Sequence, residues 1–222
     1  MLTVHHLENS RSLRILWLLE ELGAAYEIRS YKRDPKTKLA PPELLDVHPL
    51  GKSPVITDGD LTLAESGAIV EYLVERHGGR ALVPPPGSPE RLRYTYWLHF
   101  AEGSAMPPLV MKLVFNRIEH APMPFFARPV ARGIAQKVRR DFIDPNLARI
   151  AQHIEAELAP TGWFAGDAFT AADIQMSFPV AALAARGGGE DKPNMARFLD
   201  RIHARAAYRR AVERGGKPEV LR

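Results

Sequence analysis

Residues 53–73 read SPVITDGDLTLAESGAIVEYL, and this run decides the fold of the first third of the chain. Ser53-Pro54-Val55-Ile56-Thr57 reads as a strand. Asp58-Gly59 is a two-residue hairpin signal, and Leu61-Thr62-Leu63 returns antiparallel. Ser66 is placed to cap a helix from Gly67 to about His77, which Gly78-Gly79 ends. Pro54 opens a strand without an N–H to give the ladder, so it marks an edge or a special peptide.

Upstream, residues 2–7 alternate around Leu2, Val4 and Leu7 as a short strand. Ser10 or Ser12 offers a helix cap, and Leu13, Leu16, Trp17 and Leu19–Leu22 supply an apolar face ending at Gly23. Tyr26, Ile28 and Ser30 form a second strand, so the first 30 residues read as a right-handed βαβ unit. The polar stretch DPKTKLAPPELL (34–45) is long enough for a loop and a short helix. The order β-α-β-α-β-β-α is that of an α/β thioredoxin-like domain.

Downstream, VPPPGSPE (83–90) is a proline-rich break. Beyond it no strand pattern occurs. Residues 90–118 read as a long helix bent at Pro107-Pro108, and the proline-rich stretch 120–129 as a loop. Helical periodicity returns over 130–142. Asp144-Pro145 reads as a cap and first turn opening a helix over 145–158. Phe169-Thr170-Ala171-Ala172-Asp173-Ile174 starts another, with Thr170 as cap and Phe169 against Ile174 as a hydrophobic staple. A final helix runs from about Pro193 to Val212. The expected organisation is an α/β domain over residues 1–82, a linker over 83–89 and an all-α domain over 90–222.

The chain of 222 residues has no cysteine, which excludes disulfides, thiolate metal sites and a protein-borne thiol nucleophile. The opening MLTVHHLENS has no basic region followed by an apolar run, and no stretch approaches the ~20 apolar residues of a membrane span. A cytoplasmic protein without an integral membrane segment is expected. Residues 1–83 carry 10 basic and 12 acidic side chains, net −2; residues 84–222 carry 20 and 14, net +6, and 16 of those 20 are Arg. No run reaches the length of a basic tail, so these charges read as solvated helix faces and no nucleic-acid partner is expected. The eight histidines show no ligand spacing, and no metal is expected.

A thioredoxin-like domain without cysteine cannot do dithiol chemistry itself, and whatever thiol it handles must be brought in. Four segments carry a resemblance to the glutathione S-transferases: VHHLENSRSLRILWLLEELG, HPLGKSPVI, LTLAESGAIVEYL and GWFAGDAFTAADI, in order and spacing over about residues 2–212. YKRD, APPEL and HPLGKSP are further similar to a small fungal and bacterial subgroup. The chain resembles the serine-type members: the first strand carries His5 and His6 where tyrosine-type members carry Tyr. The resemblance implies that Ser10 donates a hydrogen bond to the glutathione thiolate, with Asn9, Arg11 and Ser12 as fallbacks; by itself Ser10 also reads as a simple helix cap. It implies a cis peptide at Pro54, with Val55 offering its backbone to the cysteinyl unit like an added strand. It implies that Ser66 and the helix N-terminus hold the γ-glutamyl carboxylate while Glu65 pairs with its ammonium. Lys52 meets the glycyl carboxylate or is a solvated loop lysine, and Lys38 stands near where relatives place another contact.

The electrophile pocket is expected from Phe100, Met106, Pro107 and Phe115, with Met111, Phe125 and Phe126 as further candidates; core packing is the alternative for each. Asp173 is similar to a structural capping-box residue and is not assigned to the site. The implied activity is conjugation of reduced glutathione, as co-substrate, to small hydrophobic electrophiles by a homodimer. Alternatives are a glutathione-dependent peroxidase or disulfide reductase, and a non-catalytic protein binding hydrophobic ligands or partners.

Overall fold

The computed structural model describes residues 1–185 and 191–216. Strand β1 (Leu2–Leu7), helix α1 (Leu13–Leu22) and strand β2 (Glu27–Tyr31) form the βαβ unit; α2 (Glu43–Val47), β3 (Val55–Asp58), β4 (Leu61–Ala64) and α3 (Ser66–Arg76) follow. The sheet order is β2-β1-β3-β4, with β2 parallel to β1 and the other pairs antiparallel. The register sets His6 opposite Ser30, and His5 opposite both Arg29 and Val55. The α/β thioredoxin-like unit is therefore present, and among the described residues every later element is a helix.

Helix α1 forms because its apolar residues bury one wide face: Ile15, Leu16, Trp17, Leu18 and Leu19 are all fully buried. Gly23 ends it at φ +62°, giving its N–H to Leu19, a conformation favouring a residue without Cβ. α1 packs on α3 and on two later helices, Ala171–Ala185 and Ala206–Gly215, so one core joins the sheet to the helices. Each large side chain so buried contributes about 1.5–3 kcal/mol.

Helix α4 (Pro89–Phe100) opens with Ser88, whose hydroxyl accepts the Arg91 N–H, and with Pro89 in the first turn. It runs through a π-helical turn (Ala101–Ala105) into α5 (Met106–His120). Where a bend is expected at Pro107-Pro108, the structure has this π turn just ahead of the two prolines. A proline ring presses on the carbonyl one turn back and offers no N–H, and a widened π turn relieves both.

The same device recurs. α6 (Arg128–Val138) passes through a π turn (Arg139–Ile143) into α7 (Asp144–Leu158), with Pro145 just beyond. Asp144 consequently caps nothing and pairs with Lys112 at 3.0 Å. α8 (Ala171–Ala185) begins with Asp173 fully buried, accepting from the Phe164 and Thr170 N–H groups at 2.9 and 2.7 Å. Burial pushes its carboxyl up to about 7, against the pull of these donors.

The expected last helix is two: α9 (Pro193–His203) and α10 (Ala206–Gly215). Arg205 is extended between them, because its guanidinium meets both oxygens of Glu21 on α1, at 2.5 and 2.8 Å, and lies 3.7 Å from the centre of the Phe169 ring. Among the described residues, no helix is long and apolar enough to cross a membrane.

Candidate functional site

The loop from β1 to α1 turns at Asn9, φ +50°, and brings Ser10 to the mouth of α1. Ser12, at the cap position, makes no capping bond with its side chain. The Ser10 hydroxyl accepts the Ser12 N–H at 3.2 Å and lies 2.7 Å from the Ser12 hydroxyl. Ser12 Oγ in turn is 2.8 Å from His6 Nδ1, and His6 Nε2 is 2.7 Å from the carbonyl of Gly215 at the end of α10. His6 therefore faces the helical part. His5 points the other way, to the Tyr31 hydroxyl at 2.8 Å and Thr57 at 3.3 Å. Burial holds both imidazoles below their ordinary value, so both are neutral at neutral pH.

On the next face of α1, Arg14 is buried. Its guanidinium donates to the Gln175 carbonyl at 2.6 Å, the Ser66 hydroxyl at 3.0 Å and Glu102 at 2.6 Å, and Arg11 grips the other Glu102 oxygen. Burial acts upward on Glu102, yet the Arg14 and Arg11 charges outweigh it and hold the carboxyl below its usual range.

Ser66 is thus the first helical residue of α3 rather than its cap, and its hydroxyl is tied to Arg14. Glu65 precedes it at φ +71° and ψ 118°, an uncommon conformation for a residue with Cβ, and is exposed. The first bond of the α3 ladder runs from Ile69 N–H to the Glu65 carbonyl. The N–H groups of Ser66, Gly67 and Ala68 lie ahead of that ladder, as an anion site requires.

The Ser53–Pro54 peptide is cis. Lys52 is exposed, Ser53 half-buried, and Pro54 and Val55 buried. Val55 lies opposite His5 on one side and Ala64 on the other, with β3 between β1 and β4. Both flanks are covered, which leaves no open edge for an added strand at Val55, so the expected backbone contact cannot be made there. Ser53 precedes the ladder, with its hydroxyl donating to the His5 carbonyl at 2.8 Å.

A cavity of about 360 Å³ opens beside Ser10 and Arg14, walled by Trp17, Phe178, Ile202 and Tyr208 from α1, α8, α9 and α10. The four expected pocket residues lie elsewhere. Phe100 stacks in a cluster with Trp97 and His153, Met106 is in the core, Pro107 is exposed, and Phe115 is half-buried against the core. Sequence reasoning missed Arg14, Glu102, Phe178 and Tyr208. Arg14 left one signal, a charge set inside the apolar face of α1. Among the described residues, no three His, Asp or Glu side chains cluster as metal ligands.

A cysteine-free thioredoxin-like sheet, joined through a serine-lined cavity to a helical bundle, defines a two-part protein in which any thiol is a guest. The comparisons make that class specific. The family profile "Glutathione S-transferase, N-terminal domain" matches residues 1–75, and "Glutathione S-transferase, C-terminal domain" matches residues 127–206. Glutathione S-transferase 3 of Schizosaccharomyces pombe is 37% identical over 96% of this chain and 88% of its own, and Glutathione S-transferase 1 of Saccharomyces cerevisiae 31% over 96% and 95%. A crystal structure of a glutathione S-transferase from Actinobacillus pleuropneumoniae superposes with a TM-score of 0.83 at 33% identity, covering 100% of this chain and 96% of that one. The chain belongs to the glutathione S-transferase family, and it is a glutathione transferase enzyme.

Proposed function

We propose that this enzyme conjugates reduced glutathione to small apolar electrophiles. The observation that carries the reading is the Ser10 hydroxyl on the wall of a largely apolar cavity of about 360 Å³. Glutathione lies across the sheet end: its γ-glutamyl carboxylate at Ser66 and the start of α3, its ammonium at Glu65, its backbone along Ser53 and Pro54, its glycyl carboxylate at Lys52. The thiol then meets Ser10, and the electrophile enters between Trp17, Phe178 and Tyr208. Holding both reactants in one cavity and stabilising the thiolate are the two sources of rate. Detoxification and a cytoplasmic setting follow from this reading.

Ser10→Ala tests it. The free thiol reference is ~8.5. Loss of the hydroxyl removes about 1–3 kcal/mol of thiolate stabilisation, raising the pH at which bound glutathione ionises and lowering turnover at neutral pH. An unmoved pH–rate profile refutes the role. Retained glutathione binding with no turnover on any electrophile or peroxide favours a non-catalytic binding protein.

A second reading is glutathione-dependent disulfide exchange or peroxide reduction. A glutathione transferase family member from Pseudomonas fluorescens, 26% identical with a TM-score of 0.73, has two glutathiones bound. A second tripeptide in the cavity here would place two thiols together.

The enzyme is further proposed to act as a homodimer, with α3 of one subunit against α4 of the other. Leu92 and Tyr96 expose apolar surface on α4, and Glu71 and Glu75 are exposed on α3. Sedimentation equilibrium at low micromolar protein should give twice the chain mass at both low and high salt; a monomer refutes the dimer.

A further inference from the structure

The hydroxyl assigned to the thiolate is aimed the wrong way. From Gly215 outward, one chain of short hydrogen bonds runs through His6 and Ser12 to Ser10, with separations of 2.7, 2.8 and 2.7 Å. Its polarity is set at the inner end. The Gly215 carbonyl can only accept, so His6 Nε2 carries the ring proton and Nδ1 is bare in the neutral imidazole. The Ser12 hydroxyl has two acceptors in reach, the Leu7 carbonyl at 3.4 Å and the bare Nδ1 at 2.8 Å; the shorter contact takes its proton, so Ser12 donates to Nδ1 and Ser10 donates to Ser12. The Ser10 proton points inward while its oxygen is open to the cavity.

We infer that His6 is the positioning residue for thiol ionisation: it takes up, through Ser12 and Ser10, the proton that glutathione loses. The inference rests on the assignment of Ser10 to the thiol. The step balances. The S–H bond breaks, its electron pair stays on sulfur, and its proton joins Ser10 Oγ. The former Ser10 proton moves to Ser12 Oγ, and the Ser12 proton moves to His6 Nδ1. One S–H and two O–H bonds are lost; two O–H bonds and one N–H bond are made. The products are a thiolate and an imidazolium, with no net charge added. The shift also reverses every hydroxyl, so Ser10 ends by donating to the thiolate.

The fold is built to hold the inner end. A Cβ on Gly215 would stand 2.5 Å from Leu16 Cδ1 and 3.3 Å from His6 Cε1, so a glycine lets α10 close onto the ring. The Gly215 carbonyl at the C-terminal end of α10 favours a cation there. Moving a proton from a thiol near ~8.5 to an imidazole that burial holds below its ordinary ~6.5 is uphill by more than about a hundredfold, which attraction between the new ion pair and the helix end must offset. Charged groups on the packed elements are engaged elsewhere. Arg210 and Arg214 on α10 bind Glu20 of α1, Arg14 binds Glu102, Arg29 of β2 acts on His5, and Glu27 and Glu213 are exposed. Burial and the Gly215 carbonyl are what act on His6.

Nitrogen-15 NMR of the histidine rings at neutral pH tests the transfer on the full chain, with the His6 signal assigned by its loss in His6→Gln. Glutathione should convert that ring from neutral to cationic, whereas S-methylglutathione, which has no thiol proton, should not. A ring left neutral by glutathione overturns the inference. Ultraviolet titration of the bound thiolate gives the second arm. Ser12→Ala and His6→Gln should each shift it upward and reduce kcat/KM at neutral pH by about 10–100-fold, with glutathione affinity held, and Ser12→Thr should restore it. If Ser10→Ala shifts the titration and Ser12→Ala does not, the relay falls and the Ser10 assignment stands. If Ser10→Ala leaves it unmoved, the assignment itself falls. Should His6→Gln not fold, Ser12→Ala decides, since the Ser12 side chain caps nothing.

Discussion

Two buried polar networks leave the first turn of α1, and they differ in kind. One is uncharged: Ser10, Ser12, His6 and the Gly215 carbonyl. The other is ionic: Arg14 and Arg11 on Glu102, with Ser66 and the Gln175 carbonyl as further acceptors. A hydroxyl chain can reverse its protons at little structural cost, so it suits a group that must respond to a ligand. A guanidinium–carboxylate pair is fixed, so it suits the framing of a rigid anion site at α3. The first network joins the sheet to α10, the second joins α1 to α3, the turn after α4, and α8.

The contrast is broken most severely at Arg14. Arg14→Met leaves Glu102 with Arg11 alone and strips donors from Ser66 and the Gln175 carbonyl. Removing one partner of a fully buried pair costs about 3–5 kcal/mol; Glu102 is partly exposed and keeps Arg11, so the loss should be smaller than that, yet above the ~1 kcal/mol of an uncharged hydroxyl. Urea denaturation should rank Arg14→Met below Ser12→Ala. Arg14→Lys should recover only part, because one ammonium cannot serve three divergent acceptors. Equal losses in Arg14→Met and Ser12→Ala would dissolve the distinction.

Glu65 sharpens it on the ligand side. Glu65 is exposed, so Glu65→Ala should leave folding nearly untouched while weakening glutathione binding by about 1.5–3 kcal/mol, the scale of a hydrogen bond to a charged group. Isothermal titration reads it directly. Unchanged affinity in the folded variant removes Glu65 from the site.

Legibility follows the range of the interactions. The hairpin signalled by Asp58-Gly59 and the start of α8 at Thr170–Asp173 are written within a few residues; the loop itself is Gly59-Asp60, one residue on, because Asp58 still pairs with Leu61. The break between α9 and α10 has no proline or glycine to announce it; it depends on Arg205 reaching Glu21, 184 positions away. The π turns precede the prolines they accommodate, so proline position alone does not locate them. Val55 lies between β1 and β4 because strand order decides which edges are free, and strand order is not a local property. The cavity walls are non-local in the same way: Phe178 and Tyr208 meet Ser10 only after the helices have packed. Arg14 is the instructive middle case, locally odd and globally explained.

The smallest effect separates the networks by acid. His6 sits below its ordinary value because burial opposes its charge, so the unfolded chain binds protons that the folded chain refuses once pH falls below about 6.5. Stability from the neutral ring is therefore complete above that pH and is lost as pH falls towards the folded value. Glu102 also sits low, but from the usual carboxylate range, so its contribution is complete above about 4.5 and is lost only in stronger acid. Asp173 has the opposite sign. Raised to about 7, it is favoured protonated in the fold, and stability gained from it grows as pH falls from about 7 towards about 3.8. Wild-type stability between pH 7 and 5 is thus a difference of opposed slopes, and only a comparison isolates His6. The stability gap between wild type and His6→Gln should narrow as pH drops through that window, by about 1.4 kcal/mol for each unit by which the folded value lies below the free one. The gap between wild type and Arg14→Met should stay flat there and close only below about 4.5. Urea midpoints at half-unit steps of pH measure both curves. A His6→Gln gap that widens as pH falls to 5 would mean the fold holds the ring charged. The ring would then have no free Nδ1 for Ser12, and the uncharged network would lose its defining property.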